Sequence, residues 1–141
     1  MSPTRPQDRS MPLDCTASWQ AGTTRPIPSV HALDTLLDEL VRECDAGSPL
    51  LVDVTRANGD TLTIGLGYPN IYLTYNQASG LPPYLASLAE TVRGGIVVFY
   101  YFGHWTEVPA QHLVPAASAR NAVREFARTG ELSDELCWVE S

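Results

Sequence analysis

Residues 50–67 read LLVDVTRANGDTLTIGLG, and the fold is decided there. Leu50, Val52 and Val54 fall on one side of a first extended run, and Leu62, Ile64 and Leu66 on one side of a second. Asp53, Thr55, Thr61 and Thr63 take the opposite positions. A period of two places alternate side chains on opposite faces, so each run is a strand with one apolar face. The connector Ala57-Asn58-Gly59-Asp60 holds an Asn-Gly pair, and both residues tolerate the positive φ that a tight hairpin demands. The runs 50–56 and 61–67 therefore pair antiparallel.

On the N-terminal side, Ser29 is a good helix cap. Val30, Leu33, Leu36, Leu37, Leu40, Val41 and Cys44 then recur at spacings of three and four, with Asp34, Asp38, Glu39, Arg42 and Glu43 on the other side. Gly47 supplies a left-handed terminus and Pro49 prevents continuation. Residues 1–26, rich in Pro, Arg, Ser and Thr, read as a flexible lead-in with a short edge strand around 18–24.

On the C-terminal side a third strand is expected at 71–76, and residues 78–90, with Gly80, Pro82 and Pro83, read as a loop. Residues 96–102 are apolar at both alternating positions, which suggests a central strand. Residues 108–114 are extended, and Pro115 suits the first turn of a second helix. That helix buries Ala119, Ala122, Val123 and Phe126, shows Arg120, Arg124 and Arg128 as a solvated basic stripe, and ends at Gly130. Residues 136–140 close the chain as a strand. The expected fold is α+β: one domain over 27–141, an antiparallel sheet of about five to six strands, and two main helices packed on one face. The other face is polar, with aromatic members.

Sixteen acidic residues oppose nine basic ones, a net charge of −7 over 141 residues. Residues 1–28 carry three Arg against two Asp, which leaves six Arg against fourteen carboxylates, a net of −8, over 29–141. So negative a folded part repels phosphate backbones and attracts basic protein surfaces, which disfavours direct nucleic-acid binding. Three scattered cysteines form neither a disulfide framework nor a zinc pattern and suit a reducing cytosol. No apolar run is long enough to cross a bilayer, and the N-terminus lacks the apolar stretch of a signal peptide, so a cytoplasmic location is expected.

Chemistry-bearing residues gather in two places. Tyr100-Tyr101-Phe102-Gly103-His104-Trp105-Thr106-Glu107 combines aromatics, an imidazole and a carboxylate. An enzyme would use His104 and Glu107 as base and orienter, in a pocket under the Pro82-Pro83 loop, but no nucleophile accompanies them. Trp105 either caps the core or meets a partner. Trp138 and Glu140 alternate on the terminal strand and share a face; Trp138 suits a core plug or an interface, and Glu140 must be exposed or paired. Gly65-Leu66-Gly67 lacks the third glycine and the following helix of a dinucleotide loop, so it reads as a strand end needing open backbone. His31, His104 and His112 form no ligand pair with the cysteines, so no metal and no cofactor are expected. Asp53 and Asp60 read as solvated flanks of the hairpin.

Several of these pieces occur together, in order, in a known family. They are Leu62-Thr63-Ile64-Gly65-Leu66-Gly67, Leu81-Pro82-Pro83-Tyr84, and Val97-Val98-Phe99-Tyr100-Tyr101 leading into Gly103-His104-Trp105-Thr106-Glu107. Arg124-Glu125-Phe126 with Thr129-Gly130 follows, and then the closing Trp138-Val139-Glu140. The pattern resembles an immunity-protein family of bacterial polymorphic toxin systems, with an α+β fold and a C-terminal Trp-x-Glu motif, over about residues 27 to 140. The resemblance implies a non-enzymatic protein that binds a cognate toxin, often a nucleic-acid deaminase. Candidate partner contacts are then Tyr101, His104, Trp105, Glu107, Trp138 and Glu140. Three other readings compete: a small enzyme or ligand-binding domain built on His104 and Glu107, an effector chaperone, and a nucleic-acid-binding sheet, which the charge makes the weakest.

Overall fold

The computed structural model describes residues 12–20, 23–46, 48–91, 94–101 and 104–141. Gly47, Phe102 and Gly103 lie outside the described residues, as does the lead-in before Pro12. The elements run β1 (Cys15–Gln20), β2 (Thr23–Ile27), α1 (Val30–Ala46), β3 (Leu50–Arg56), β4 (Thr61–Leu66) and β5 (Asn70–Asn76). They continue as β6 (Leu85–Leu88), β7 (Ile96–Tyr101), β8 (His104–Pro109), a 3-10 turn at Ala110–His112, β9 (Leu113–Pro115), α2 (Ala116–Thr129) and β10 (Cys137–Glu140). The α+β class and the two helices agree with the sequence reading. Among the described residues the sheet has ten strands, more than the five to six expected.

The extra strands are short, or hidden by composition. β1 and β2 pair antiparallel, and Cys15, Ala17 and Trp19 of β1 are buried, although their polar neighbours mask the alternation. Residues 85–88 lie inside the expected loop, yet β6 pairs with both β5 and β10. Its buried Ser87 hydroxyl donates to the His112 carbonyl at 2.8 Å and accepts from the Leu73 N–H at 3.2 Å, so a polar residue is satisfied inside the sheet.

The order is β10-β6-β5-β4-β3-β1-β2, and β3 and β4 pair from Leu50↔Leu66 to Thr55↔Thr61, as the Asn-Gly hairpin requires. Gly59 takes φ +97° in that turn. The predicted apolar positions Val52, Val54, Leu62, Ile64 and Leu66 are all buried with Leu33, Leu36, Leu37 and Leu40 of α1 and Val123 and Phe126 of α2. Ser29 caps α1 through its hydroxyl, which accepts from the Ala32 N–H at 3.1 Å, and Gly130 closes α2 at φ +83°. The basic stripe of α2 is not simply solvated. Arg120 reaches Asp38 at 2.8 Å and Arg124 reaches Asp34 at 2.9 Å, which ties α2 to α1.

The second face departs most from expectation. β7 is not central: it meets β3 in parallel at one position, Leu50↔Tyr100, and otherwise pairs only with β8. The β7–β8 hairpin curls over the face that was expected to be wet. Beneath it Leu51, Phe99, Val108 and Leu113 form a second, smaller core, with Tyr68, Tyr72, Val97 and Tyr101 around them. Phe99 stacks on Tyr72 at 5.8 Å and meets Tyr68 edge-on at 5.3 Å. A Cβ at Gly65 would stand 2.7 Å from the Phe99 ring, so the glycine read as an open strand end is the seat of that ring.

Candidate functional site

The register of β7 and β8 sorts the sequence candidates by face. Directly opposed residues of an antiparallel pair share a face. Tyr100↔Trp105 and Val98↔Glu107 therefore project outward with Ile96, while Phe99↔Thr106 and Tyr101↔His104 belong to the inner side. The Tyr100 and Trp105 rings confirm this, meeting edge-on at 5.9 Å. Trp105 is 62% exposed and Ile96 63%, so Trp105 does not cap the core. Glu107 is also exposed. The outer face of the hairpin is thus an aromatic and aliphatic strip with a carboxylate in its middle.

The strip stands on a rigid footing. The Tyr68 hydroxyl donates to the Val98 carbonyl at 2.8 Å and accepts from the Val98 N–H at 3.1 Å, standing in for a neighbouring strand. The Tyr100 N–H donates to the Pro49 carbonyl at 2.9 Å. On the inner side the Tyr101 hydroxyl donates to Asp53, whose other oxygen accepts from Thr63. Asp53 is therefore a clamp between sheet and hairpin rather than a solvated flank. Burial first, and then this bond and the Asp53 charge, push the Tyr101 phenol up to about 12. Asp60 is likewise engaged, accepting from the Ala78 N–H at 2.9 Å.

The six sequence candidates do not form one site. Tyr101 and His104 share the inner side of the hairpin, and Trp105 and Glu107 its outer side. His104 and Glu107 are three apart on one strand and point to opposite faces, so the pair needed for a base and its orienter is not assembled. Trp138 and Glu140 lie on β10, with four strands of the sheet order between them and β7. Trp138 packs against the main core, and its indole N–H donates to the Ser133 carbonyl at 2.9 Å. Glu140, on the same face, is exposed. Tyr100 and Ile96 belong to the strip but are not among the six candidates, because only the pairing of β8 on β7 shows which residues join Trp105.

A cleft of about 640 Å³ opens elsewhere, lined by Val41, Arg42, Tyr68, Ala116 and Arg120 among others. Asp34 and Asp38 take up the charged end of Arg120. None of the six candidates lines it. Among the described residues no group of His, Cys, Asp and Glu could hold a metal ion, and no helix is long and apolar enough to cross a membrane.

The family model described as Immunity protein Imm1 matches residues 21–140, most of the chain. The chain belongs to the Imm1 immunity protein family. This agrees with the resemblance read from the sequence, and the match also takes in β2, ahead of the expected domain start. No curated protein matches the chain.

Proposed function

We propose that the chain binds and neutralises a cognate toxin, and that the outer strip of the β7–β8 hairpin, with Tyr100, Trp105 and Glu107, is the contact surface. Membership of an immunity family supports the role. The single observation that carries the surface is Trp105, 62% exposed on β8 beside Tyr100, whose own strand β7 is fastened by Tyr68. A large aromatic side chain with only two rotatable bonds loses little entropy when it is buried by a partner, which is the character of an interface anchor.

The toxin is proposed to be a nucleic-acid deaminase. Such an enzyme admits a base into a zinc pocket flanked by basic phosphate contacts. An acidic domain that covers this mouth inhibits by occlusion, with carboxylates meeting Arg or Lys and aromatics desolvating the centre. Encounter in the cytoplasm suits three cysteines that form no disulfide, of which Cys15 and Cys44 are buried.

Co-expression with the toxin domain encoded beside its gene tests this. Survival together with a co-purifying complex is the expected result. Binding without rescue would identify a chaperone instead, and neither binding nor rescue would overturn the toxin reading for that pair.

A further inference from the structure

The hydrogen-bond phase of the β7–β8 hairpin leaves one edge of the sheet open. The Ala110 N–H donates to the Gly95 carbonyl at 3.0 Å. In an antiparallel ladder, hydrogen-bonded and non-bonded pairs alternate. Counting inward from that bond, Val97↔Val108, Phe99↔Thr106 and Tyr101↔His104 exchange bonds, whereas Val98↔Glu107 and Tyr100↔Trp105 do not. The bonds of Val98 to Tyr68 and of Tyr100 to Pro49 fit this phase, since both point away from β8. The N–H and C=O groups of Trp105 and Glu107 consequently point out of the other side of the hairpin, and among the described residues β8 pairs only with β7.

Unpaired strand edges invite another chain, and proteins ordinarily blunt them. The remaining ends of this sheet are blunted. β2 carries Pro26, which has no N–H, and Arg25 is pinned to Glu39 at 3.1 Å. β10 has four residues, and β9 has three, two of them buried. Among the described strands, β8 keeps two consecutive outward positions, Trp105 and Glu107, with exposed side chains and neither of them a proline. Its carboxylate adds a sign: Glu107 forms no ion pair among the described residues.

We propose that the free edge of β8 takes an extended strand of the cognate toxin, which pairs through the backbone of Trp105 and Glu107 and places an Arg or Lys directly opposite Glu107. This rests on the toxin-binding reading and supplies its geometry. Main-chain bonds give affinity in strand addition, and side chains on the shared face give specificity. A second copy of this chain is the poorer occupant. A twofold axis at Glu107 would set two carboxylates together, and any register would join two chains of charge −7.

The test uses the intact protein in complex with the toxin domain encoded beside its gene. Amide exchange at Trp105 and Glu107 slows at least tenfold on complex formation if the edge is paired. Fast exchange at both amides within a stable complex overturns strand addition and leaves toxin binding standing. Glu107→Pro removes one outward N–H without touching the β7 ladder, so it binds about tenfold more weakly than Glu107→Ala at equal melting temperature. Equal affinities for the two variants overturn the proposal. Slowing of the same amides in concentrated protein alone would assign the edge to a second copy and overturn the toxin as occupant. Failure to form any complex would overturn the toxin reading and this one with it.

Discussion

Two hairpins lie along the same edge of β3, and they are treated oppositely. β1 pairs with β3 at residues 53–56, and β7 meets it at Leu50. The β1–β2 hairpin is sealed: Ala17 and Trp19 enter the main core, and the Arg25 guanidinium lies 5.5 Å from the Trp19 ring. The β7–β8 hairpin buries only one side. Phe99 anchors it, and its other side shows Trp105 to solvent. Each hairpin brings a tryptophan, and burial separates Trp19, which packs in the core, from Trp105, which we propose meets the toxin. On that proposal, stability and recognition are divided between neighbours on one strand.

Trp19→Ala and Phe99→Ala break the comparison hardest. Each empties a packed site and should cost about 3–5 kcal/mol, read as a lower denaturation midpoint. Amide exchange separates them: Phe99→Ala releases the β7–β8 hairpin selectively, while Trp19→Ala lowers protection across the main sheet. Equal and global losses for both would mean that the second core is not a separate unit.

Trp105→Ala sharpens the contrast with Trp19. Stability should change by no more than about 0.5 kcal/mol, because the ring is exposed. Toxin affinity should fall by about 2 kcal/mol if the ring is an interface anchor. A calorimetric titration of the folded variant with unchanged affinity would remove Trp105 from the contact surface.

The clamp between hairpin and sheet gives a pH signature. An ordinary tyrosine ionises near about 10, and Tyr101 is pushed up to about 12. The unfolded chain therefore loses its proton first, so this stabilisation is complete below the ordinary value and fades as the pH climbs toward the raised one. Burial also raises Tyr72 and Tyr75, which add slope of the same sign. Tyr101→Phe should flatten the alkaline limb of a stability–pH curve in part, and an unchanged limb would exclude Tyr101 as a contributor.

The smallest effect belongs to the helix pair. The Arg124 and Asp34 side chains are each about one-third exposed, so Arg124→Ala should cost only about 0.5 kcal/mol, visible as a small loss of midpoint that vanishes in high salt.

The sequence by itself determined α1, α2, the β3–β4 hairpin and the part of the main core that these elements supply, though not the share of Cys15, Ala17 and Trp19. Each rests on a local period, and a local period fixes which side chains face inward whatever the rest of the chain does. Gly65 was legible as a place needing open backbone, though not as the seat of Phe99. The ring has to arrive from thirty-four residues away. Tertiary structure alone decided the rest. The apolar run of β7 has the composition of a central strand, but both its faces are accounted for by a small core beneath and an exposed strip above. Nothing local tells those two burials apart. Whether His104 and Glu107 meet and whether Trp105 is wet both depend on the pairing of β8 with β7. Pairing is a contact between strands, and a strand's own sequence sets its faces without naming its neighbours.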